Sequence, residues 1–268
     1  MAEKPVVVIG MGEMGSVFAR ALLRLGHPVY PVMRTSRMKR IAAELRKPRA
    51  VVVAVGENDL ANVLRRMPKA WRKRLVLLQN ELLPDDYREI DNVTVVSVWF
   101  EKKKGQDSKV IIPSPAHGPR ATLLARALAT LDIPVSVVES ARNMLFELVA
   151  KNLYILTSNI AGLRVGGTVG ELWREHEALA RTIANEVITL QEGLTGSRFN
   201  NDDLIAAMCR AFDGDPAHRC MGRSAPARLE RALAHADALG LVLPTLRAIA
   251  AEQAAPTIDE LPPGPLLA

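Results

Sequence analysis

A chain of 268 residues with 49% hydrophobic and 24% charged residues can bury one large core or two modest ones, and this balance excludes disordered and fibrous classes. Its formal charge of +6 comes from scattered lysines and arginines in a chain that is only 4% aromatic, which argues against a nucleic-acid groove and suits small anionic ligands. No stretch approaches the roughly 20 uncharged apolar residues that span a bilayer, and Met1-Ala2-Glu3-Lys4-Pro5 lacks a signal-peptide pattern, so a soluble, cytoplasmic protein with no membrane partner is expected.

The first half alternates short β-branched runs with helical patterns, the signature of parallel βαβ units. Val6 to Ile9 reads as a buried strand. A helix over about 13–25 follows, with Val17, Ala21, Leu22 and Leu25 on one face. Strands are predicted at 29–33, 50–55, 75–79, 93–99 and 134–138, with helices near 38–45, 60–66 and 121–131 between them. The run Lys102-Lys103-Lys104 lies at a hairpin around 104–107 that returns through 109–112, and it reads as a solvated tip. After Glu139 strand-like runs stop and 3.6-residue periodicity takes over, predicting helices over 141–163, 175–190, 202–212, 225–239 and 245–254. The expected architecture is therefore α/β: an N-terminal Rossmann-type parallel-sheet domain over 1–139, an all-helical domain over 140–255 for substrate binding and dimerisation, and a flexible proline-rich tail over 256–268. A homodimer is plausible for so apolar a second half.

Gly10-Met11-Gly12-Glu13-Met14-Gly15 follows the first strand and opens the first helix, the context in which G-x-G-x-x-G signals a dinucleotide site. Gly10 suits a tight turn, Gly12 a close approach of the backbone to a diphosphate, and Gly15 close packing of helix on strand. The helix N-terminus then offers N–H groups to the phosphates. NAD enzymes place a carboxylate at the end of the second strand, whereas no acidic residue occurs between Glu13 and Glu44 here. Met33-Arg34-Thr35-Ser36-Arg37 stands there instead. Arg34 can pair bidentately with a 2′-phosphate and Thr35 can donate to it, so NADPH is the expected cofactor, held in a cationic pocket free of acids. The cysteines, Cys209 and Cys220, fit structural thiols, and His117 and His218 lack ligand spacing, so no metal site is expected.

Chemistry in a Rossmann domain followed by helices usually lies beyond the carboxyl ends of the strands, which Gln79-Asn80-Glu81 and the long helix from about Ala141 can reach. Here the chain resembles the ketopantoate reductase (2-dehydropantoate 2-reductase) family. The family carries Gln-Asn-Gly at the end of a central strand, a helix with a lysine and asparagines at four-residue steps, a Thr-Val-Gly-Glu-Leu-like stretch and a final Gly-to-Pro stretch. Gln79-Asn80-Glu81, Lys151 through Asn159 to Thr168-Val169-Gly170-Glu171-Leu172, and Leu239-Gly240-Leu241-Val242-Leu243-Pro244 match these in turn. The resemblance implies an NADPH-dependent reductase of a small 2-oxo acid. Departures fall at Gly56, where the family has a cofactor-contacting lysine, at Glu81 for its glycine, at Val149 for an aromatic residue and at Ile155 for an asparagine. The family's glutamate before the last stretch falls near Ser224-Ala225-Pro226. The scaffold is kept while the substrate contacts change.

Residues 151, 155 and 159 lie on one helix face, so Lys151 and Asn159 point the same way. Reducing a ketone leaves a developing alkoxide that needs a proton donor. Lys151 is the candidate general acid, Asn80 would orient the nicotinamide or the carbonyl, and Asn159 would hydrogen-bond a polar group of the substrate. Arg223 and Ser224 are the weaker candidates for a carboxylate anchor, while Trp99 and Phe100 read as core. Two alternatives stay open: an oxidoreductase of the β-hydroxyacid dehydrogenase and imine reductase group, which shares Gly-x-Gly-x-Met-Gly and a helix lysine, and an NADPH-binding sensor without turnover.

Overall fold

The computed structural model describes residues 3–254, and the tail expected over 256–268 lies outside the described residues. Four consecutive buried residues, Val6–Ile9, form β1 of the first unit. Val6 and Val8 face one core and Val7 and Ile9 the other, so a strand without polar alternation is what a sheet covered on both faces requires. Helix α1 (Glu13–Arg24), β2 (Val29–Val32), α2 (Met38–Glu44), β3 (Val51–Val53), α3 (Glu57–Arg65), β4 (Leu75–Leu77) and β5 (Thr94–Val96) follow in the expected alternation.

A small hairpin, β6 (Phe100–Glu101) with β7 (Lys109–Val110), precedes β8 (Ser114–His117), α4 (Ala121–Ala129) and β9 (Val135–Val137). The seven-stranded sheet runs β2-β1-β3-β4-β5-β8-β9 and is parallel except where β8 meets β5. Strand β8 departs from the sequence reading, because Ser114-Pro115-Ala116-His117 has no β-branched residue. It is held by its neighbours: Ser97 N–H donates to Pro115 O at 2.9 Å and Val138 N–H to Ala116 O at 2.8 Å.

One core lies between the sheet and the apolar faces of α1 and α4, with Phe18, Leu22, Leu124 and Leu128 fully covered. The other face is closed by α3, by Trp71, and by Met144 and Leu148 of α5 (Ala141–Val165). Each such buried side chain contributes roughly 1.5–3 kcal/mol. Trp71, wholly buried, also satisfies its indole N–H on Leu45 O at 2.8 Å.

The compact units divide inside α5, one running through Asn152 and the other beginning at Leu153. The second unit is helical: after the end of α5 come α6 (Val169–Glu175), α7 (Glu177–Thr195), α8 (Asn201–Gly214), α9 (Ala225–Ala238) and α10 (Pro244–Ala254). Ala180, Ile183, Ala184, Val187 and Ile188 of α7 repeat at helical spacing and are buried. The short α6 is an addition to the sequence reading, and its cause is a capping box. Thr168 Oγ1 accepts from Glu171 N–H, while Glu171 Oε2 accepts from Thr168 N–H at 2.8 Å. Helix α10 is capped from α7, because the Glu186 carboxylate accepts the N–H groups of Thr245 and Leu246 at 2.8 and 3.0 Å.

Candidate functional site

The carboxyl end of β1 runs into Gly10, which adopts φ +88°, and a Cβ there would stand 2.6 Å from Ala54 O. A Cβ on Gly15 would stand 1.9 Å from Gly10 O, so helix and turn touch through backbone alone. Gly12, the N-cap residue just before α1, differs from both. A Cβ on it would meet nothing within 4 Å and would project into open space. Gly10 and Gly15 are thus required by the fold, whereas Gly12 keeps a space clear in front of the free N–H groups of the helix.

Beside this turn lies a cavity of about 560 Å³, lined among others by Gly10, Met11, Gly12, Arg34, Ser36 and Asp59. Thr35 does not line it; Ser36 does, with its Oγ accepting from Met33 N–H at 2.9 Å. The expected absence of acid in the pocket is corrected here. Asp59 Oδ2, from α3, pairs with Arg34 Nη2 at 3.3 Å. The pair is open to solvent, its side chains 94% and 52% exposed, so it is worth about 1 kcal/mol or less and does not lock Arg34 away from a phosphate. Local sequence concealed Asp59 because it reaches the end of β2 from another helix. Gly56 also lines the cavity, and a Cβ there would meet nothing within 4 Å, which leaves empty the place of the family's lysine.

Of the remaining glycine-turn residues, Met14 packs on the core, and Glu13 turns its carboxylate to Lys102 at 3.6 Å. Lys102 is therefore no solvated tip. Its side chain is only 17% exposed, and its ammonium also donates to the carbonyls of Lys103 and Gln106.

At the end of β4, Gln79 is a brace: its Nε2 donates to Val53 O at 2.6 Å and to Val55 O at 3.2 Å, and its Oε1 accepts from Leu78 N–H. This fixes the turn that carries Asn80, which is half-buried and is not among the residues lining the cavity. Glu81, at the position where the family the sequence resembles has glycine, keeps a left-handed backbone with φ +59°. Lys151 is half-buried on α5, with its Nζ 3.9 Å from the centroid of the Trp99 ring. Trp99 is buried, as read from the sequence, but it also forms the wall against which the amine is held.

In the second unit Asn159 is buried, and its Oδ1 accepts from Arg228 Nη1 at 3.0 Å. Sequence reasoning named Arg223 and Ser224 as anchors, yet both are exposed; the guanidinium beside Asn159 belongs to α9. The signal available was spacing, since Arg228 falls one helical turn after Ser224, where the family's glutamate aligns. Cys220 is buried and Cys209 partly so, and neither is in a disulfide.

Comparison with solved structures places the whole fold. The chain resembles the 2-dehydropantoate 2-reductase of Methylococcus capsulatus with a TM-score of 0.68 at 16% identity, over 93% of this chain and 95% of that one. A dimeric ketopantoate reductase from Staphylococcus aureus gives 0.65 at 18% identity, over 92% and 96%. A D-mandelate dehydrogenase solved with NADH gives 0.65 at 14% identity, also over 92% and 96%. No family model and no curated protein matches the sequence. No helix among the described residues is long and apolar enough to cross a membrane.

Proposed function

We propose that this chain, which has the fold of the ketopantoate reductases, is an NADPH-dependent reductase of a small 2-oxo acid and works as a homodimer. The observation that carries the reading is the open space at Gly12 beside a cavity lined by Arg34. A dinucleotide fits there: the diphosphate against the N-terminus of α1, the adenosine 2′-phosphate against Arg34 and Ser36. Bound in this way, a reduced nicotinamide supplies the hydride.

The chain supplies the proton and the orientation. The Trp99 face holds the Lys151 amine in a fixed direction, and a positioned amine is what a developing alkoxide needs as its proton donor. Asn80, held by the Gln79 brace, orients the carbonyl or the nicotinamide amide. Asn159, with Arg228 on its amide oxygen, presents a donor and a positive charge to an anionic substrate.

Lys151→Ala is expected to lower kcat by about a hundredfold or more while NADPH affinity stays within about twofold. Steady-state turnover with a panel of 2-oxo acids, beside fluorescence titration with NADPH, measures both. A variant with undiminished kcat removes Lys151 from the chemistry. Gly56, where the family has its lysine, favours one competing reading, a sensor; NADPH binding by the unaltered chain with no oxidation by any 2-oxo acid would establish it.

A further inference from the structure

The glycine turn contains a charge that does not suit a diphosphate. Glu13 is the first residue of α1, directly after Gly12, and a carboxylate there is favourable for the empty helix because it answers the positive end of the dipole. Glu13 does not itself line the cavity, but it is the chain neighbour of Gly12, where a diphosphate would bring further negative charge. Like charges at that range oppose binding unless a cation stands between them.

Such a cation is present, and it comes from a different element. The β6–β7 hairpin lies on α1, with the Phe100 ring 6.3 Å from that of Phe18. This contact carries Lys102 over the start of α1, where its Nζ is 3.6 Å from Glu13 Oε2. The ammonium is bound to the Lys103 and Gln106 carbonyls, so the turn of the hairpin is built around it and holds it in place. A lysine whose side chain is five-sixths covered and aimed at the glycine turn is more than a surface charge.

We infer that Lys102 is a cofactor-binding residue: it neutralises Glu13 and supplies the positive charge that lets the turn accept the diphosphate of a dinucleotide. The inference rests on the dinucleotide reading above. It brings to the glycine turn a cation that Gly56 does not provide. Glu13 and Lys102 together then make diphosphate affinity depend on a salt bridge that can be shared with the ligand.

The test uses the full chain and two probes, NADPH and 2′-AMP, which carries the 2′-phosphate and no diphosphate. Lys102→Met is expected to weaken NADPH about tenfold or more and to leave 2′-AMP within about twofold. Glu13→Gln is expected to bind NADPH at least as tightly as the unaltered chain. In Glu13→Gln/Lys102→Met the loss relative to Glu13→Gln should be smaller than the loss in Lys102→Met alone, because one repulsion is gone. Lys102→Arg keeps the charge and should keep NADPH affinity within about threefold.

Equal NADPH affinity in Lys102→Met and the unaltered chain overturns the inference and leaves the dinucleotide reading standing. So does an equal loss of both probes, which would mean that Lys102 only staples the hairpin, and so does failure of Lys102→Arg to bind while folded by circular dichroism. If the unaltered chain binds neither NADPH nor NADH, the dinucleotide reading falls and the inference with it.

Discussion

At the scale of single residues, the three glycines of one motif separate into two kinds, and the separation is measurable. A methyl at Gly15 would lie 1.9 Å from Gly10 O, a distance that backbone atoms cannot relieve without moving α1 off β1. Gly15→Ala is therefore expected to cost about 1–3 kcal/mol or more in urea unfolding. Gly12→Ala meets no neighbour and should stay within about 1 kcal/mol of the unaltered chain, while NADPH affinity falls more than about tenfold because the methyl fills the space of the diphosphate. Undisturbed NADPH binding in Gly12→Ala would place the ligand elsewhere. Glu81 shows the complementary case. Its left-handed backbone costs a side-chain-bearing residue about 1 kcal/mol, yet the turn after Gln79 and Asn80 keeps the conformation that glycine would adopt freely.

Elements, in turn, are fixed here by close approaches that periodicity does not reveal. The segment from Pro216 to Cys220 runs antiparallel beside 167–170: Gly170 N–H donates to Pro216 O, Val169 N–H to His218 O, and Cys220 N–H to Gly167 O. Helix α5 touches the same segment, since a Cβ on Gly162 would stand 2.8 Å from the Cβ of Cys220. Cys220 is therefore enclosed, and burial, aided by the charge of Glu171, pushes its thiol up to about 11. A raised thiol pKa in the folded chain means that stability from this site is complete below the unfolded value near 9, declines above it, and is lost as pH rises through about 11. At pH 8 only about a thousandth of the thiol is thiolate, against about a tenth once unfolded. Disulfide-exchange reagents at pH 8, read residue by residue by mass spectrometry, should modify Cys220 at least about a hundredfold more slowly in the native chain than in denaturant. Equal rates would show that the packing between α5 and the 216–220 segment opens freely.

Across the whole molecule, what the sequence showed depended on how local the cause was. The β-branched runs of β1 and β3 and the glycine turn are written in consecutive residues, so the α/β class and the turn that opens α1 were legible. Strand β8 was not, because its strand character comes from bonds to Ser97 and Val138 and not from its own side chains. Nor were Asp59 and Lys102, which reach Arg34 and Glu13 of the glycine turn, respectively, from distant elements. Cofactor choice is where this non-local charge matters, since Arg34 alone argues for NADPH and Asp59 alone would suit a ribose hydroxyl. Their exposed pair exchanges cheaply for a guanidinium–phosphate contact, and phosphate offers Arg34 a stronger, bidentate partner than one carboxylate oxygen at 3.3 Å. A ligand that binds only the folded chain stabilises it by about 2.7 kcal/mol at a hundred times its Kd. At equal concentrations NADPH should therefore raise the unfolding midpoint more than NADH does. Arg34→Ala should abolish the difference, and Asp59→Asn should widen it by releasing Arg34 and removing a charge that repels the 2′-phosphate. A larger shift with NADH in the unaltered chain, reversed in Asp59→Asn, would make Asp59 the residue that selects the cofactor and Arg34 its counter-ion.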